Sequence, residues 1–376
     1  MITHEFDAIR PYLDGEVPAV IQELIQEHEF IGALQVVFPD LSIADIQAKL
    51  KKIQSVYDFQ AGVIAGVVKF IADHSIRKLE CLGLENLSSG SPHLIISNHR
   101  DIVLDSALLN YTLFKNNLDT TRIAIGNNLL QKNWIEKLVR LNKNFIVHRD
   151  VQARQAYSYS MRISRYIRKS ITDDKQSVWI AQREGRTKDG KDNTQSGLLK
   201  MIGMSGGSDD VGAFDDLHIL PLSISYELEP CAGLKAREMY IRNKTGQYQK
   251  QPGEDLQSMK SGMMDPKGCV CLHFGASIRR ETLEDCFRDK SRNEGLRELA
   301  AWIDKQIHSR FQLYPFHYCA ADILSQTSRY SAFYSKSDYE DFNRYAAGVL
   351  APWPEDAKDM MPFLLQIYAN PVYTRP

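Results

Sequence analysis

The first 75 residues carry apolar side chains at the spacing of helices. Two sets recur every three or four positions, namely Val17, Val20, Ile21, Leu24 and Ile25, and then Ile43, Ile46, Leu50 and Ile53. Ser42 stands three residues before Asp45, which is the arrangement of a capping box at the start of a helix. A third helical stretch runs from about residue 56 to residue 74. The pattern predicts a small helical bundle over residues 1–75.

Short runs typical of strands begin beyond residue 76, and helical patterns lie between several of them. The predicted strands are 93–97, 122–126, 144–148, 177–181, 218–224 and 269–274. The predicted helices are 106–113, 129–141, 155–171 and 293–311. Strands that alternate with helices favour an α/β fold, with a mixed, mostly parallel sheet flanked by helices.

Helical patterns return after the last predicted strand. The tail beyond residue 330 is rich in aromatic residues, which favour the core of a helical region over the wall of a ligand tunnel. We therefore expect three parts: an N-terminal helical region (1–75), an α/β domain (76–290), and a C-terminal helical region (291–376) packed on that domain.

Composition narrows the class of protein. Apolar residues make up 43% of the 376 residues and charged residues 25%, which excludes a disordered or collagen-like chain. The six cysteines form no CxxC pair, so free thiols in a reducing cytosol are expected. The N-terminus, with early acids and no apolar core, does not look like a secretory signal. No run approaches the roughly 20 apolar residues of a membrane span, so any membrane contact is expected to be peripheral.

Charge is unevenly distributed although the net charge is −1. Residues 121–200 hold 17 Lys and Arg against 7 Asp and Glu. This excess indicates either a basic surface for an anionic ligand or membrane, or a face that acids elsewhere in the fold balance. Within it, Arg162, Arg165 and Lys169 share one face of the predicted helix 155–171. That face either rests on anionic lipid or is an ordinary exposed basic surface.

The first candidate site follows the apolar strand at 93–97. His99 comes directly after this strand, with Asp101 and Asp105 close behind. Strand ends are where α/β folds place reactive groups, and a His that a carboxylate orients can act as a general base. No serine nucleophile is evident, so the activated hydroxyl would belong to the substrate. A purely structural His–Asp pair is the alternative.

Two further strands end in cations. Arg149 follows the strand at 144–148, where it either holds an anionic group or forms a surface salt bridge. Arg183, Arg186 and Lys188 surround Gly185 after the strand at 177–181, a combination that suits a phosphate. Residues 185–192 nearly match a P-loop, but Asp192 replaces the required hydroxyl, which argues against nucleotide hydrolysis.

Two other sequence features carry less information on their own. Pro221 lies inside the apolar run at 218–224, which requires a strand start, an edge or a bulge. The His-Arg-Asp triplets at 99–101 and 148–150 lack the following Asn, the Gly-rich loop and the Asp-Phe-Gly of protein kinases, so a kinase is excluded.

Four segments of the chain, taken in order, resemble the motifs of the glycerolipid acyltransferase superfamily, which includes glycerol-3-phosphate and 1-acylglycerol-3-phosphate acyltransferases. The matching residues are Asn98-His99-Arg100 with Asp105, Phe145-Ile146 with Arg149, Glu184-Gly185-Arg186, and Leu220-Pro221-Leu222. His99 and Asp105 are one residue further apart than in the family pattern. The resemblance covers roughly residues 76–285 and implies the family's acyltransferase fold, with a later edge strand near Cys269.

The resemblance implies an enzyme that moves a fatty acyl group from acyl-CoA or acyl carrier protein to a hydroxyl of glycerol 3-phosphate or 1-acylglycerol 3-phosphate, in phospholipid biosynthesis. His99 is the implied base, oriented by Asp105 or, failing that, by Asp101. The implied substrate-binding residues are Arg100, Arg149, Arg183, Glu184, Gly185, Arg186 and Lys188. Neither a metal nor a cofactor beyond the thioester donor is expected, and no nucleic acid. The expected location is cytoplasmic, peripheral on the inner face of the membrane.

Other interpretations stay open at this point. The irregular His–Asp spacing is compatible with a catalytically silent lipid-binding or scaffolding relative. Acyl transfer to a non-glycerol acceptor would use the same residues. A phosphate-ester hydrolase is less favoured, because paired metal-binding carboxylates are missing from the sequence blocks.

Overall fold

The computed structural model describes residues 5–87, 90–149, 151–207 and 209–376. Residues 1–4, which belong to the N-terminus predicted not to be a secretory signal, lie outside these ranges. So does Asp150 of the second His-Arg-Asp triplet. Within them, seven strands form one sheet: β1 (Ile76–Leu82), β2 (Leu94–Ser97), β3 (Arg122–Gly126), β4 (Asn144–Val147), β5 (Val178–Ala181), β6 (Leu220–Tyr226) and β7 (Gly268–Phe274).

The sheet is mixed and mostly parallel, as predicted. Its order is β1-β7-β6-β2-β5-β3-β4, and only the β6–β7 pair is antiparallel. The carboxyl ends of β2, β3, β4, β5 and β6 therefore meet at one edge of the sheet. Pro221 is the second residue of β6, and the register with β7 starts only at Leu222, so the proline lies at a strand start.

Strand β1 was not predicted, and its position explains why. It lies at the sheet edge, where Arg77, Lys78 and Glu80 interrupt any apolar alternation. Because β1 pairs in parallel with β7, the expectation that β7 is an edge strand is wrong.

The N-terminal region is helical, with α1 (Val17–Leu24), α2 (His28–Val37), α3 (Ile43–Leu50), α4 (Val56–Phe59) and α5 (Ala65–Ser75). A π-helical turn joins α4 to α5, so one helix runs continuously from residue 56 to residue 75. The predicted capping box is confirmed: the N–H of Asp45 donates to Ser42 Oγ over 3.1 Å, and the N–H of Ser42 donates to Asp45 Oδ2 over 3.2 Å. The apolar faces of these helices share a core with Leu141.

Helices cover both faces of the sheet. Those between the strands are α6 (Leu104–Lys115), α7 (Asn133–Leu141), α8 (Ala153–Thr172), α9 (Ser196–Ile202), α10 (Ala232–Thr245) and α11 (Glu254–Met264). Alternate residues of β2 enter opposite cores: Leu94 and Ile96 pack in a core that includes α8, whereas Ile95 packs in a core with α6. Because both faces are buried, such strands form continuous apolar runs in the sequence, which is why they were recognisable.

The C-terminal part consists of α12 (Arg280–Phe287), α13 (Arg292–Arg310), α14 (Pro315–Ser325), α15 (Lys336–Leu350) and α16 (Ala357–Thr374). Phe342 and Tyr368 lie in a core shared by α10, α14, α15 and α16, so the aromatic tail is helix core, as predicted. The α16 helix also holds the loop after β5, because Asn370 Nδ2 donates to the carbonyl of Asp189 over 2.7 Å. The division into three domains stays a prediction.

Acidic residues from other elements balance part of the basic helix α8. Arg165 pairs with Glu5 over 3.1 Å, Arg168 contacts Asp216, and Lys169 contacts Asp174. No helix in the part of the chain that the structure describes is long and apolar enough to cross a bilayer.

Candidate active site

At the start of the loop after β2, the side chain of Asn98 takes the place of backbone hydrogen bonds between β2 and β6. The Asn98 amide donates to the carbonyl of Ile224 over 2.8 Å and accepts the N–H of Ile224 over 2.8 Å. Asn98 is fully buried, so this side chain continues the contact of β2 with β6 where the β2 backbone turns away. The next residue, His99, therefore starts from a fixed point at the carboxyl edge of the sheet.

His99 and Asp105 form a hydrogen-bonded pair. His99 Nδ1 lies 2.8 Å from Asp105 Oδ2, and the N–H groups of Arg100 and Asp101 donate to the same oxygen over 2.6 and 3.0 Å. Burial raises the pKa of Asp105, but the bond from His99 and its other donors outweigh burial, so the pKa lies below its usual value. A charged carboxylate on Nδ1 fixes the tautomer in which Nε2 can accept a proton.

Asp101 takes a different part in the same loop. Its Oδ1 accepts the N–H groups of Val103 and Leu104, each over 2.8 Å, and so caps the start of α6. Burial and the neighbouring Asp105 charge raise the pKa of Asp101. The structure thus pairs His99 with Asp105 rather than Asp101, and the loop at 100–103 accommodates the residue that exceeds the family spacing.

Two aromatic residues complete the surroundings of the pair. The hydroxyl of Tyr226, at the end of β6, donates to Asp105 Oδ1 over 2.7 Å. Trp179 presents its ring to the His99 imidazole edge-on at 5.9 Å, and its indole N–H donates to Ser97 Oγ over 2.9 Å. The sequence did not single out Tyr226, which lies just beyond the predicted strand at 218–224.

A cavity of about 1290 Å³ opens beside His99. Its polar wall includes Arg149, Arg183, Glu184 and Gly185, all four of which were predicted site residues. The rest of its wall is largely apolar and is contributed by α2, α5, α7 and α11, with residues such as Phe30, Leu34, Ile64, Val67, Leu138, Met259 and Met263. Sequence reasoning missed this contribution of the N-terminal helices, because their apolar positions also fit a bundle core.

Arg149 and Arg183 are the predicted cations that reach the cavity. Arg149 lies 3.8 Å from the Glu184 carboxylate, a loose ion pair, and its side chain is 37% exposed. It packs on Gly126 at the end of β3, where an added Cβ would lie 2.8 Å from Arg149 Nε. Within the described residues, the Arg183 guanidinium has neither a hydrogen bond nor an ion pair. Both cations can therefore bind an anion without giving up a strong partner.

Arg100 does not contact the cavity, and the expectation that it binds substrate is corrected. It is 1% exposed, and its guanidinium donates to Asp192 over 2.5 Å and to Glu229 over 3.1 Å. Lys235 joins the network by donating to Glu229 over 2.5 Å and to the carbonyl of Arg100 over 2.7 Å. Although burial opposes its charge, the two carboxylates raise the pKa of Arg100. Arg100 therefore holds the His99 loop in place through buried contacts that lie outside the cavity.

Arg186 and Lys188 also lie away from the cavity wall, against expectation. Arg186 is buried next to Asp101 and Cys231. Lys188 pairs with Glu238 over 2.5 Å, and burial together with the Arg186 charge lowers the pKa of Lys188 to about 8. In the described ranges, no group of three or more His, Cys, Asp or Glu side chains is arranged to hold a metal ion.

Comparison with known proteins identifies the class. Residues 78–225, which span β1 to the penultimate residue of β6 and include His99, Asp105, Arg149 and Arg183, match the model of the family described as Acyltransferase. This segment is an acyltransferase domain, and the resemblance seen in the four sequence segments is confirmed.

Individual proteins resemble this chain less specifically than the family does. No curated protein matches the chain. Solved structures that match include the 1-acyl-sn-glycerophosphate (LPA) acyltransferase PlsC from Thermotoga maritima, at 13% identity and a TM-score of 0.40. That alignment covers 77% of this chain and 92% of the other.

The environment of Arg100 leads to a stability prediction. Arg100→Met leaves the buried Asp192 carboxylate without its cation and Glu229 with Lys235 alone, and should lower the free energy of unfolding by about 3–5 kcal/mol. Arg149→Met, at a partly exposed site, should change it by less than about 1 kcal/mol. Urea titration measures both variants. Equal stabilities would contradict the structural role of Arg100.

Proposed function

We propose that this protein transfers a fatty acyl group from a thioester donor to a hydroxyl of glycerol 3-phosphate or 1-acylglycerol 3-phosphate. The observation that carries the proposal is one cavity in which the His99–Asp105 pair, two weakly partnered arginines and a long apolar wall come together. An acyltransferase for glycerolipids needs these three features: a base, an anion site and room for an acyl chain.

In the proposed reaction, His99 Nε2 accepts the proton of the acceptor hydroxyl. The oxygen attacks the thioester carbonyl, a C–O bond forms, and the C–S bond breaks when the tetrahedral intermediate collapses. The thiolate takes up the proton from His99. Asp105 stabilises the transient imidazolium through Nδ1 and does not itself exchange a proton.

The polar end of the cavity suits the acceptor phosphate. Arg149 and Arg183 present guanidinium groups that match phosphate oxygens, and Gly185, with φ of 72° and open space around it, allows the backbone to approach closely. Both candidate acceptors carry this phosphate, so the same residues would hold either one. Holding the acceptor next to His99 would supply a large part of the rate enhancement.

The apolar wall suits the acyl chain. A cavity of about 1290 Å³ exceeds the roughly 300–1000 Å³ of ordinary small-ligand pockets. Its lining from α2, α5 and α11 offers methyl, methylene and thioether groups, and burying a chain there is favoured by about 0.8 kcal/mol per methylene.

Several finer points rest on the resemblance alone. The choice between acyl-CoA and acyl carrier protein, the cytoplasmic location and a peripheral membrane contact stay predictions. The alternative of a catalytically silent relative was motivated by the irregular His–Asp spacing. Since the loop at 100–103 keeps the pair bonded over 2.8 Å, the spacing no longer favours that alternative.

The base assignment predicts that His99→Ala loses turnover by about 10²–10⁴-fold while remaining folded. Release of free thiol from an acyl thioester, with a panel of acceptors, measures the rate. His74→Ala, at an exposed histidine of α5, is the matched control and should stay near wild type. Normal turnover in a folded His99→Ala protein would refute the assignment.

The anion site predicts a loss of acceptor discrimination in Arg149→Ala. The KM for glycerol 3-phosphate should rise roughly tenfold or more, because a charged hydrogen bond is lost. The slow reaction with glycerol, which has no phosphate, should hardly change. Arg154→Ala, an exposed arginine of α8, serves as control. An unaltered preference for the phosphorylated acceptor would argue against this site.

The apolar wall predicts that Val67→Phe shortens the accepted chain. Each methylene that no longer fits should reduce kcat/KM for long chains roughly fourfold, from about 0.8 kcal/mol per buried CH₂. Short-chain thioesters should react normally. Val36→Phe is the control, because Val36 is 64% exposed on α2 and does not line the cavity. The measurement is kcat/KM for a series of acyl thioesters of increasing chain length. If Val67→Phe and the wild type accept the same lengths, the acyl chain does not bind along this wall.

A further inference from the structure

The two oxygens of the Asp105 carboxylate have different partners. Oδ2 accepts hydrogen bonds from His99 and from two backbone N–H groups. Oδ1 accepts one from the hydroxyl of Tyr226, over 2.7 Å. Asp105 and Tyr226 are both 0% exposed, so the described surroundings leave water no access to Oδ1. Among the described residues, Tyr226 and His99 are the side chains that donate to this carboxylate.

The Tyr226 hydroxyl affects the charge of the Asp105 carboxylate as well as its orientation. The two backbone N–H groups on Oδ2 already hold the carboxylate in place. The hydroxyl on Oδ1 stabilises its negative charge, and a carboxylate stabilised in this way attracts the proton of its histidine partner less strongly. Burial and the nearby aspartates raise the pKa of Tyr226 well above its usual value, so the hydroxyl keeps its proton.

We infer that Tyr226 is a positioning residue that sets the proton affinity of the His99–Asp105 pair without contacting substrate. The inference rests on the proposed function only in taking His99 as the base of the reaction. Through Tyr226, strand β6 would adjust the pH at which the pair becomes able to accept a proton.

Other charged groups face the pair and must stay constant in a test. Asp101 lies in the same loop, and Glu229 follows β6. Arg186, from the loop after β5, and Lys267, just before β7, act on Asp101. Tyr226→Phe removes one oxygen and leaves all four groups in place, so a change in titration reports the lost hydroxyl.

The experiment follows the His99 imidazole by NMR titration of the full chain, with the signal assigned through His99→Gln. In Tyr226→Phe, the titration midpoint should move up by about half to one pH unit. The acid limb of the kcat/KM profile for acyl transfer should move in the same direction, with a loss of about 3- to 10-fold at pH values below it.

Tyr240→Phe is the matched control. The Tyr240 hydroxyl also donates to an aspartate, Asp356, over 2.7 Å, but this bond joins α10 to the start of α16, and neither residue lines the cavity. Its loss should leave both the His99 titration and the pH profile where they are. A thermal scan of both variants separates general destabilisation from the specific effect.

A fluorinated tyrosine incorporated at position 226 provides the reverse test and preserves the ring and hydroxyl. Its more acidic O–H donates more strongly, so the His99 midpoint should move down. An unmoved midpoint in both Tyr226 variants would overturn the inference. A midpoint that moves as expected, in a protein that transfers no acyl group to any acceptor, would support the inference and refute the proposed function.

Discussion

The buried ion network around Arg100 is the constraint on which the site depends. Arg100 links the loop after β2 to Asp192 beyond β5 and to Glu229 beyond β6, and Lys235 of α10 closes the network on the Arg100 carbonyl. The guanidinium also lies 4.9 Å from the ring of Phe311, which follows α13. Charges buried this deeply are tolerated only when every partner is in place. The position of His99 is therefore set by three segments that are far apart in sequence.

The cavity joins two parts of the chain with different chemistry. Its polar end comes from strand ends and loops of the sheet, where Arg149 and Arg183 lie near the His99 loop. Its apolar wall comes largely from helices, including α2 and α5, which precede the segment that matches the acyltransferase family. The family segment thus holds the His99–Asp105 pair and both arginines of the cavity, while the N-terminal helices contribute much of its apolar surface.

The sequence predicted the fold well where burial is regular. Strands such as β2 and β5 are apolar on both faces and stood out, whereas β1, at the edge, carries charges and was missed. Site residues followed the same division. His99 and Arg149 each stand two residues after the last residue of a strand and line the cavity, but the local sequence does not show where a side chain within a loop points. Arg100, Arg186 and Lys188 looked like phosphate ligands until their acidic or buried partners, distant in sequence, were known.

The continuous helix from residue 56 to residue 75 couples two ends of the molecule. Its first half belongs to the N-terminal core, its second half lines the cavity, and β1 begins at the very next residue, Ile76. With no linker between helix and strand, this wall has no hinge at its carboxyl end. Any displacement that widens the cavity on this side must bend the helix at its π turn or strain the outermost pairing of the sheet.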